Sequence, residues 1–354
     1  MFGLVKDEIV KRNFVIFGLA KFISHTGYRI ISRPHVENIS AVAEIKKKKG
    51  TILYTGLHKS LWETTGVLSC LKLNGVPIPF SGMGDNLIRG KFFQTIAKKT
   101  GIFLVKRARS RRDVIESAKK LKQYISYYIA NGIDVAIFPE GTRRNVPEKG
   151  EYGNFFPTAF EAVLEYERNK EQILAEYPEL TPRDVYVIPY NTDYSKVRED
   201  LEYIGSLGKK PRTLHIFDSL KMIKHVGDVY ISFGEPIKIS GHLDKSRKEL
   251  AVYTRDRCLE LVKILPINVV GQAAADAIEK GNGSIKTDTL LHNIAENVKK
   301  LERYKDRFRG FEVDESPRSI LDKVTCYEAK FRNIDAACLP FYKLYANYIH
   351  HYWE

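Results

Sequence analysis

The strongest constraint on the fold of this chain is an alternation of short apolar runs with longer amphipathic stretches. The clearest amphipathic stretch spans residues 110–132, where Ser110 and Asp113 form a capping-box pattern and Asn131-Gly132 is a stop signal. Strands separated by helices predict an α/β fold, in which helices flank a mainly parallel or mixed central sheet. The runs rich in β-branched and aromatic residues, typical of strands, are 51–56, 77–81, 101–105, 134–138, 185–190, 213–217 and 228–233.

The two ends of the chain follow other patterns. We expect residues 1–35 to form an N-terminal amphipathic helical segment, whose apolar stretch at 13–23 is too short to span a membrane. A helix packed in the core is the alternative for this segment. Residues 35–50 are interpreted as a polar connection that ends in a run of lysines. The strand-like runs fall within 36–240, whereas 241–354 carries helical spacing and predicts a helical C-terminal region.

Composition restricts the partners without choosing one. The 354 residues are 44% hydrophobic, which is typical of a globular protein, and they carry a formal net charge of +14. This charge indicates an anionic partner such as nucleic acid, a phosphorylated metabolite or an acidic membrane surface. The four cysteines are scattered without a Cys-x-x-Cys pair, so we expect reduced thiols and no metal site.

A candidate catalytic pair follows the run at 51–56. His58 lies at the end of that run, and Glu63 comes five residues later. Parallel sheets place ligand-facing residues at strand ends, and a neutral imidazole can accept a proton from a hydroxyl. If a helix begins between the two residues, the carboxylate lies about one turn away and can fold back to orient the ring. The alternative is that Glu63 is a solvated acid favoured by the helix dipole.

Cations follow the next strand-like run. Lys106 and Arg107 come directly after residues 101–105, and further arginines follow them. Such a cluster at the end of a strand suits a phosphate group. A solvated basic loop is the alternative interpretation.

The sequence FPEGTRR contains a tight turn at the end of the run at 134–138. Gly141 permits a positive φ and a close approach of the backbone, and Arg143 and Arg144 can bind phosphate oxygens. Glu140 could either bind polyol hydroxyls or brace an arginine. The turn is therefore a second candidate for a phosphate-binding segment.

Taken in order, these segments resemble the glycerolipid acyltransferase superfamily. Its blocks read H-x4-D, G-x-F/I-F-x-x-R, F-P-E-G-T-R-S and V-P-V/I, and this chain has HKSLWE, GIFLVKR, FPEGTRR and VIPY. YISFGEPIKI resembles a later F-G-x-P-I strand of the superfamily. Three further segments are similar to parts of the glycerol-3-phosphate and dihydroxyacetone-phosphate branch, namely PFSGMGDNL, IPYNTDYSKV and LPINVVGQAAADAI. The similarity covers about residues 36–240, which the resemblance implies to be the catalytic domain.

The resemblance implies an enzyme of phospholipid biosynthesis that transfers a fatty acyl group from acyl-CoA or acyl-ACP to a hydroxyl of glycerol 3-phosphate. It implies no cofactor beyond the thioester, no nucleic acid, and cytoplasmic, peripheral attachment to the inner face of an anionic membrane. Its catalytic residues would be His58 and Glu63. Its substrate-binding residues would be Lys106, Arg107, Glu140, Gly141, Thr142, Arg143 and Arg144.

Two residues depart from the family pattern. Glu63 stands in place of aspartate, which adds ~1.5 Å of reach, and some related lipid A-type acyltransferases also have glutamate there. Pro157 stands where a glycine is expected after the third block. Alternative activities are acylation of lysophosphatidate, another lysophospholipid or a glycolipid. A non-catalytic basic protein that binds lipid or nucleic acid is the alternative from another class, although no aromatic-interleaved RNA-binding motif is apparent.

Overall fold

One sheet organises the part of the chain that the structure describes. The computed structural model describes residues 10–13, 15–18, 32–60, 63–88, 90–106, 110–141, 153–197, 227–281, 285–307 and 315–353. The strands are β1 (Arg33–Glu37), β2 (Thr51–Gly56), β3 (Phe80–Gly84), β4 (Ile102–Val105), β5 (Val135–Ile137), β6 (Val185–Tyr194), β7 (Asp228–Phe233) and β8 (Ile237–Lys238). They lie in the order β1-β7-β6-β2-β5-β3-β4, and β8 pairs with β6. Only β6–β7 and β6–β8 are antiparallel among these pairs, so the predicted mainly parallel α/β sheet is confirmed.

Helices cover the sheet and form the C-terminal part of the chain. Those longer than one turn in the described ranges are α1 (Ile39–Lys47), α2 (Glu63–Leu73), α3 (Lys91–Lys99), α4 (Arg111–Ala130), α5 (Thr158–Arg168), α6 (Lys170–Glu176), α7 (Arg247–Leu259), α8 (Pro266–Lys280), α9 (Thr287–Leu301), α10 (Pro317–Tyr327) and α11 (Leu339–Asn347). The predicted capping box begins α4, because Ser110 Oγ accepts the Asp113 N–H and the Asp113 carboxylate accepts the Ser110 N–H. No helix within the described ranges has the length and apolarity needed to cross a bilayer.

The interpretation of residues 35–50 as a polar connection is wrong. β1 covers the first of these residues and α1 covers most of the others. Val42 and Ile45 lie one helical turn apart and are both buried, so α1 packs through a narrow apolar stripe. The neighbouring lysines make this stripe hard to recognise in the sequence. β1 forms by parallel pairing with β7, nearly two hundred residues later in the chain, and local sequence patterns do not report such a contact. The predicted strand at 213–217 lies outside the described residues.

The parallel strands give the sheet two chemically different edges. β2, β3, β4 and β5 all point the same way, so their carboxyl ends meet at one edge, which we call the carboxyl edge. Residues that follow Gly56, Gly84, Val105 and Ile137 therefore converge there. In open α/β sheets this is where ligands bind.

The described part of the N-terminal segment lies at the opposite edge. The Val10 N–H donates to Tyr128 Oη at the end of α4. The Arg12 guanidinium donates to the carbonyls of Ile78 and Pro79 (2.7 and 2.6 Å), which precede β3. Burial lowers the pKa of Arg12 to about 10. Residues 15–18 are helical, and most of the predicted amphipathic helix lies outside the described residues.

The C-terminal helices pack on the sheet and on one another. α7 lies against β6 and α5, and α8 lies against α9, α10 and α11. The Val197 N–H, just after β6, donates to Tyr345 Oη of α11 (3.2 Å). Tyr352 Oη donates to the Val262 carbonyl (2.9 Å). The predicted helical C-terminal region is therefore continuous with the core of the α/β sheet.

Gly56 ends β2 at a position where a side chain does not fit. A Cβ built there would lie 2.6 Å from the ring of Tyr190 on the neighbouring strand β6. That ring is 1% exposed and has no space to move into. The close approach of the two strands just before His58 thus requires glycine.

We expect Gly56→Ala to lower the free energy of unfolding by about 1–3 kcal/mol, because the added methyl overpacks the core. Gly241→Ala is the matched control, since a Cβ at Gly241 meets nothing within 4 Å. Urea unfolding of both variants measures the difference, and equal midpoints would contradict the steric explanation.

Candidate active site

His58 and Glu63 form a contact pair at the carboxyl edge. α2 begins at Glu63, and the carboxylate of this first helical residue reaches the imidazole. His58 Nδ1 lies 2.9 Å from Glu63 Oε2. The imidazole is 15% exposed and the carboxylate is fully buried. Because the acid engages Nδ1 of His58, Nε2 is the ring nitrogen that would have to act as the base.

Some groups around Glu63 raise its pKa and others lower it. Burial raises the pKa of Glu63 well above its usual value, and the negative charge of Glu140 adds to that effect. The Lys59 N–H donates to Glu63 Oε1 at 2.7 Å, and this hydrogen bond, the Lys59 charge and a backbone contact from Ser60 all lower the pKa. The carboxylate is therefore held by donors in a site that water does not reach.

Glu140 holds the backbone of the histidine. Its Oε1 accepts the His58 N–H at 2.8 Å, and its Oε2 accepts the Gly153 N–H at 3.3 Å. Phe138, two residues earlier, stacks on the imidazole with ring centroids 4.0 Å apart and planes 10° apart. The FPEGTRR segment thus supplies one wall of the imidazole site and fixes the end of β2. Sequence reasoning assigned Glu140 to substrate or to an arginine and missed this backbone contact.

A buried ion pair lies beside the histidine, and sequence reasoning missed it. Lys59 Nζ lies 2.5 Å from Asp193 Oδ1 near the end of β6, and both side chains are buried. Asp193 Oδ2 accepts Asn191 Nδ2–H at 2.6 Å and the Lys263 N–H at 2.9 Å. The Lys59 ammonium also lies 5.7 Å from the ring centroid of Tyr348. The turn that carries His58 is therefore anchored to β6 and to the C-terminal region at once.

The other predicted site residues divide into described and undescribed ones. Gly141 has a φ of +71° and its N–H donates to the Phe138 carbonyl, so the predicted tight turn is present. Lys106 follows β4 and pairs with Asp113 at 3.0 Å, in a partly exposed position where this carboxylate raises the pKa of Lys106. The remaining four, Arg107, Thr142, Arg143 and Arg144, lie outside the described residues.

A metal-binding cluster or a separate groove would be the other places to expect chemistry. In the described ranges, no cluster of three His, Cys, Asp or Glu side chains is arranged to hold a metal ion. A groove of about 480 Å³ lies between α9, α10 and residues 331–335, and none of the residues named above lines it. The chemistry-bearing groups are therefore those of the carboxyl edge.

We expect Lys59→Met to lower the free energy of unfolding by about 3–5 kcal/mol, because it leaves the Asp193 carboxylate buried without a cation. The double variant Lys59→Met/Asp193→Asn should recover much of that loss, since no buried charge remains. Lys47→Met is the control, because the Lys47–Glu44 pair is exposed and should contribute no more than about 1 kcal/mol. Chemical denaturation measures all three, and a double variant as unstable as Lys59→Met would contradict the account.

Glu63→Gln tests the burial of the carboxyl group. Because the pKa of Glu63 is raised in the folded state, the unfolded chain loses this proton first as pH rises, and ionisation of Glu63 costs stability. Relative to the unaltered protein, the glutamine variant should gain stability as the pH rises above about 4.3, the usual pKa of a glutamate in an unfolded chain. Glu44→Gln, at an exposed carboxylate whose pKa is lowered by Lys47, should show no such gain. A pH-independent difference for Glu63→Gln would contradict the prediction.

Comparison with known proteins agrees with this geometry. The family model described as Acyltransferase matches residues 14–192. The chain is 24% identical over 223 residues to a glycerol-3-phosphate acyltransferase of Hamiltonella defensa subsp. Acyrthosiphon pisum, covering 60% of this chain and 24% of that protein. It is 25% identical over 228 residues to the enzyme of the same name from Alteromonas mediterranea, covering 61% of this chain and 25% of that protein.

The enzyme of the same name from Baumannia cicadellinicola is 25% identical over 214 residues, with 58% of this chain and 24% of that protein covered. The chain thus spans about a quarter of the length of the curated relatives it matches. The family match includes the His58–Glu63 pair, the FPEGTRR turn and most of β6. With its core motif residues in contact at one edge of an α/β sheet, this chain belongs to the acyltransferase family.

Proposed function

We propose that the chain is an O-acyltransferase that moves a fatty acyl group from an acyl-CoA or acyl-ACP thioester to a hydroxyl of glycerol 3-phosphate. The observation that carries the proposal is the 2.9 Å contact of His58 Nδ1 with a buried carboxylate, which suits an imidazole that acts as a base through Nε2. The names of the relatives, glycerol-3-phosphate acyltransferases, support this acceptor.

In the proposed mechanism His58 acts as a general base. Nε2 takes the proton of the acceptor hydroxyl while the oxygen attacks the thioester carbonyl, and Glu63 stabilises the imidazolium that forms. The tetrahedral adduct then collapses, the carbon–sulfur bond breaks and the imidazolium gives its proton to the departing sulfur. The products are the acyl ester and a free thiol, and the enzyme returns to its starting state without a cofactor.

The acceptor phosphate requires cations near the base. Lys106, Arg107, Arg143 and Arg144 are the proposed set, and Gly141 and Thr142 would let the backbone approach the substrate. Lys106 supports this role because its ammonium lies at the carboxyl edge in an exposed pair, which a phosphate can replace at little cost. Glu140 has both carboxylate oxygens engaged by N–H groups, which favours a positioning role for it.

Direct transfer is favoured over an acyl-enzyme. Burial raises the pKa of Cys70 to about 12 and also raises that of Cys258, so neither of these buried thiols is poised as a nucleophile. We further propose that the enzyme acts on the cytoplasmic side of a membrane as a peripheral protein, because its product is a lipid and its charge is strongly positive.

A thiol-release assay tests the proposed function. The full chain is mixed with several acyl-CoAs or acyl-ACP and challenged with glycerol 3-phosphate, dihydroxyacetone phosphate or lysophosphatidate. We expect thiol release and ester formation to depend on glycerol 3-phosphate. Faster turnover with lysophosphatidate would show that lysophosphatidate is the preferred acceptor and would contradict the proposed one. No thiol release with any acceptor would contradict an acyltransferase activity.

We expect His58→Ala to lower kcat by about 10²–10⁴-fold, the usual contribution of a general base, while the thermal unfolding transition stays close to that of the unaltered protein. His292→Ala, at an exposed histidine of α9, is the matched control and should retain full activity. The same assay measures both variants, and an active His58→Ala protein would contradict the mechanism.

A further inference from the structure

Exposed apolar side chains gather at the carboxyl edge of the sheet. Phe92 and Phe93 lie in the first turn of α3, which follows β3, and they are 71% and 39% exposed. Val114 and Ile115 lie in the first turns of α4, which follows β4, and they are 54% and 64% exposed. Phe156, 62% exposed, packs beside Gly141 after β5. We call these five residues the apolar rim.

The rim and the candidate active site share one side of the protein. β3, β4 and β5 run parallel to β2, so the segments after them lie on the same edge as His58. Other exposed large apolar residues lie at the opposite edge, for example Leu73 at the far end of α2 and Leu243, whose carbonyl accepts a hydrogen bond from Arg168 at the end of α5. Five large exposed apolar side chains on one edge of a soluble surface mark an interaction site.

Cations surround the rim. Lys91 and Thr95 are exposed on the same face of α3 as Phe92, and Lys98 and Lys99 continue this face toward the opposite edge, where the Asn13 N–H donates to the Lys99 carbonyl. Lysines beside protruding aromatic residues are typical of helices that lie at a membrane interface, where the ring enters the acyl boundary and the ammonium meets the headgroup.

Lys106 and Arg112 add exposed positive charge beside Val114 and Ile115. The acidic groups of this part of the edge are Asp113, which is paired with Lys106, Glu116 and Asp85. Four of the five rim residues lie on α3 and α4, and these helices contain more basic than acidic residues, as attraction to an anionic surface requires.

We propose that the apolar rim is the surface through which this protein docks on an anionic phospholipid bilayer, so that the mouth of the His58 site faces the lipid. The proposal rests on the proposed function for its biological use, since a lipid product must leave toward a bilayer. The rim is distinct in position from Val10 and Arg12 of the N-terminal segment, which are bound to the protein at the opposite edge.

Vesicle flotation of the full chain tests the surface. The vesicles contain phosphatidylcholine and phosphatidylglycerol in equal parts, and no acyl donor is present. The double variant Phe92→Ser/Ile115→Ser should bind at least roughly tenfold more weakly than the unaltered protein, because two apolar anchors are lost. Leu73→Ser/Leu243→Ser, which removes two exposed apolar residues at the opposite edge, is the control and should bind like the unaltered protein.

Three results would overturn the proposal: no binding of the unaltered protein, equal binding of the rim variant, or an equal loss in the control. Pure phosphatidylcholine vesicles should bind weakly, and binding that is independent of the anionic lipid would contradict the role of the lysines. Circular dichroism melting of each variant shows whether it is folded. Thiol release from a water-soluble short-chain acyl-CoA reports the proposed function separately, so the two can fail independently.

Discussion

The structure depends on one buried carboxylate that faces an imidazole. Glu63 has no access to water. Its contact with His58 prepares the ring to act as a base only if the proton between them lies on Nδ1. If the proton lay on Glu63, the ring would carry its own proton on Nε2 and could not serve as a base. The same number of protons thus gives one active and one inactive arrangement, and the surroundings decide between them.

The groups around the pair act on the carboxylate in opposite directions, and burial, which favours its protonated form, is the largest effect. The Lys59 N–H donates to the carboxylate, and its ammonium adds a positive field that Asp193 partly offsets. Glu140 acts against ionisation by its charge but fixes the His58 backbone through a hydrogen bond. Because Asp193 also binds the Lys263 N–H, the C-terminal region contributes to this arrangement. That region is therefore part of the support of the site rather than an appendage.

Local sequence patterns predicted most of the described strands, the longest helix of the described residues and the proximity of His58 to Glu63. β2 and β7 begin and end where the apolar runs do, and α4 begins at its capping box, because these features depend on neighbouring residues. The contact of Glu63 with His58 was predicted on the condition that a helix begins between them, whereas α2 begins only at Glu63. β1 escaped detection because its identity as a strand depends on β7, far along the chain.

The parts of the site that the sequence did not predict also depend on contacts between residues far apart in the chain. The Lys59–Asp193 pair joins residues 134 positions apart, and the contact of Glu140 with the His58 backbone joins residues 82 positions apart. A single sequence gives no signal for such pairings, since a lysine after a histidine or a glutamate in a turn is compatible with a solvated surface. The rim became apparent only when the parallel strands brought the starts of α3 and α4 to one edge.

The most direct test of the account is the protonation of the His58 ring, measured by ¹⁵N NMR of histidine-labelled protein at neutral pH, with the signals assigned through His58→Ala. The account predicts a proton on Nδ1 in a strong hydrogen bond that is altered in Glu63→Gln, and an unprotonated Nε2. A ring with its proton on Nε2 and a protonated Glu63 would contradict it.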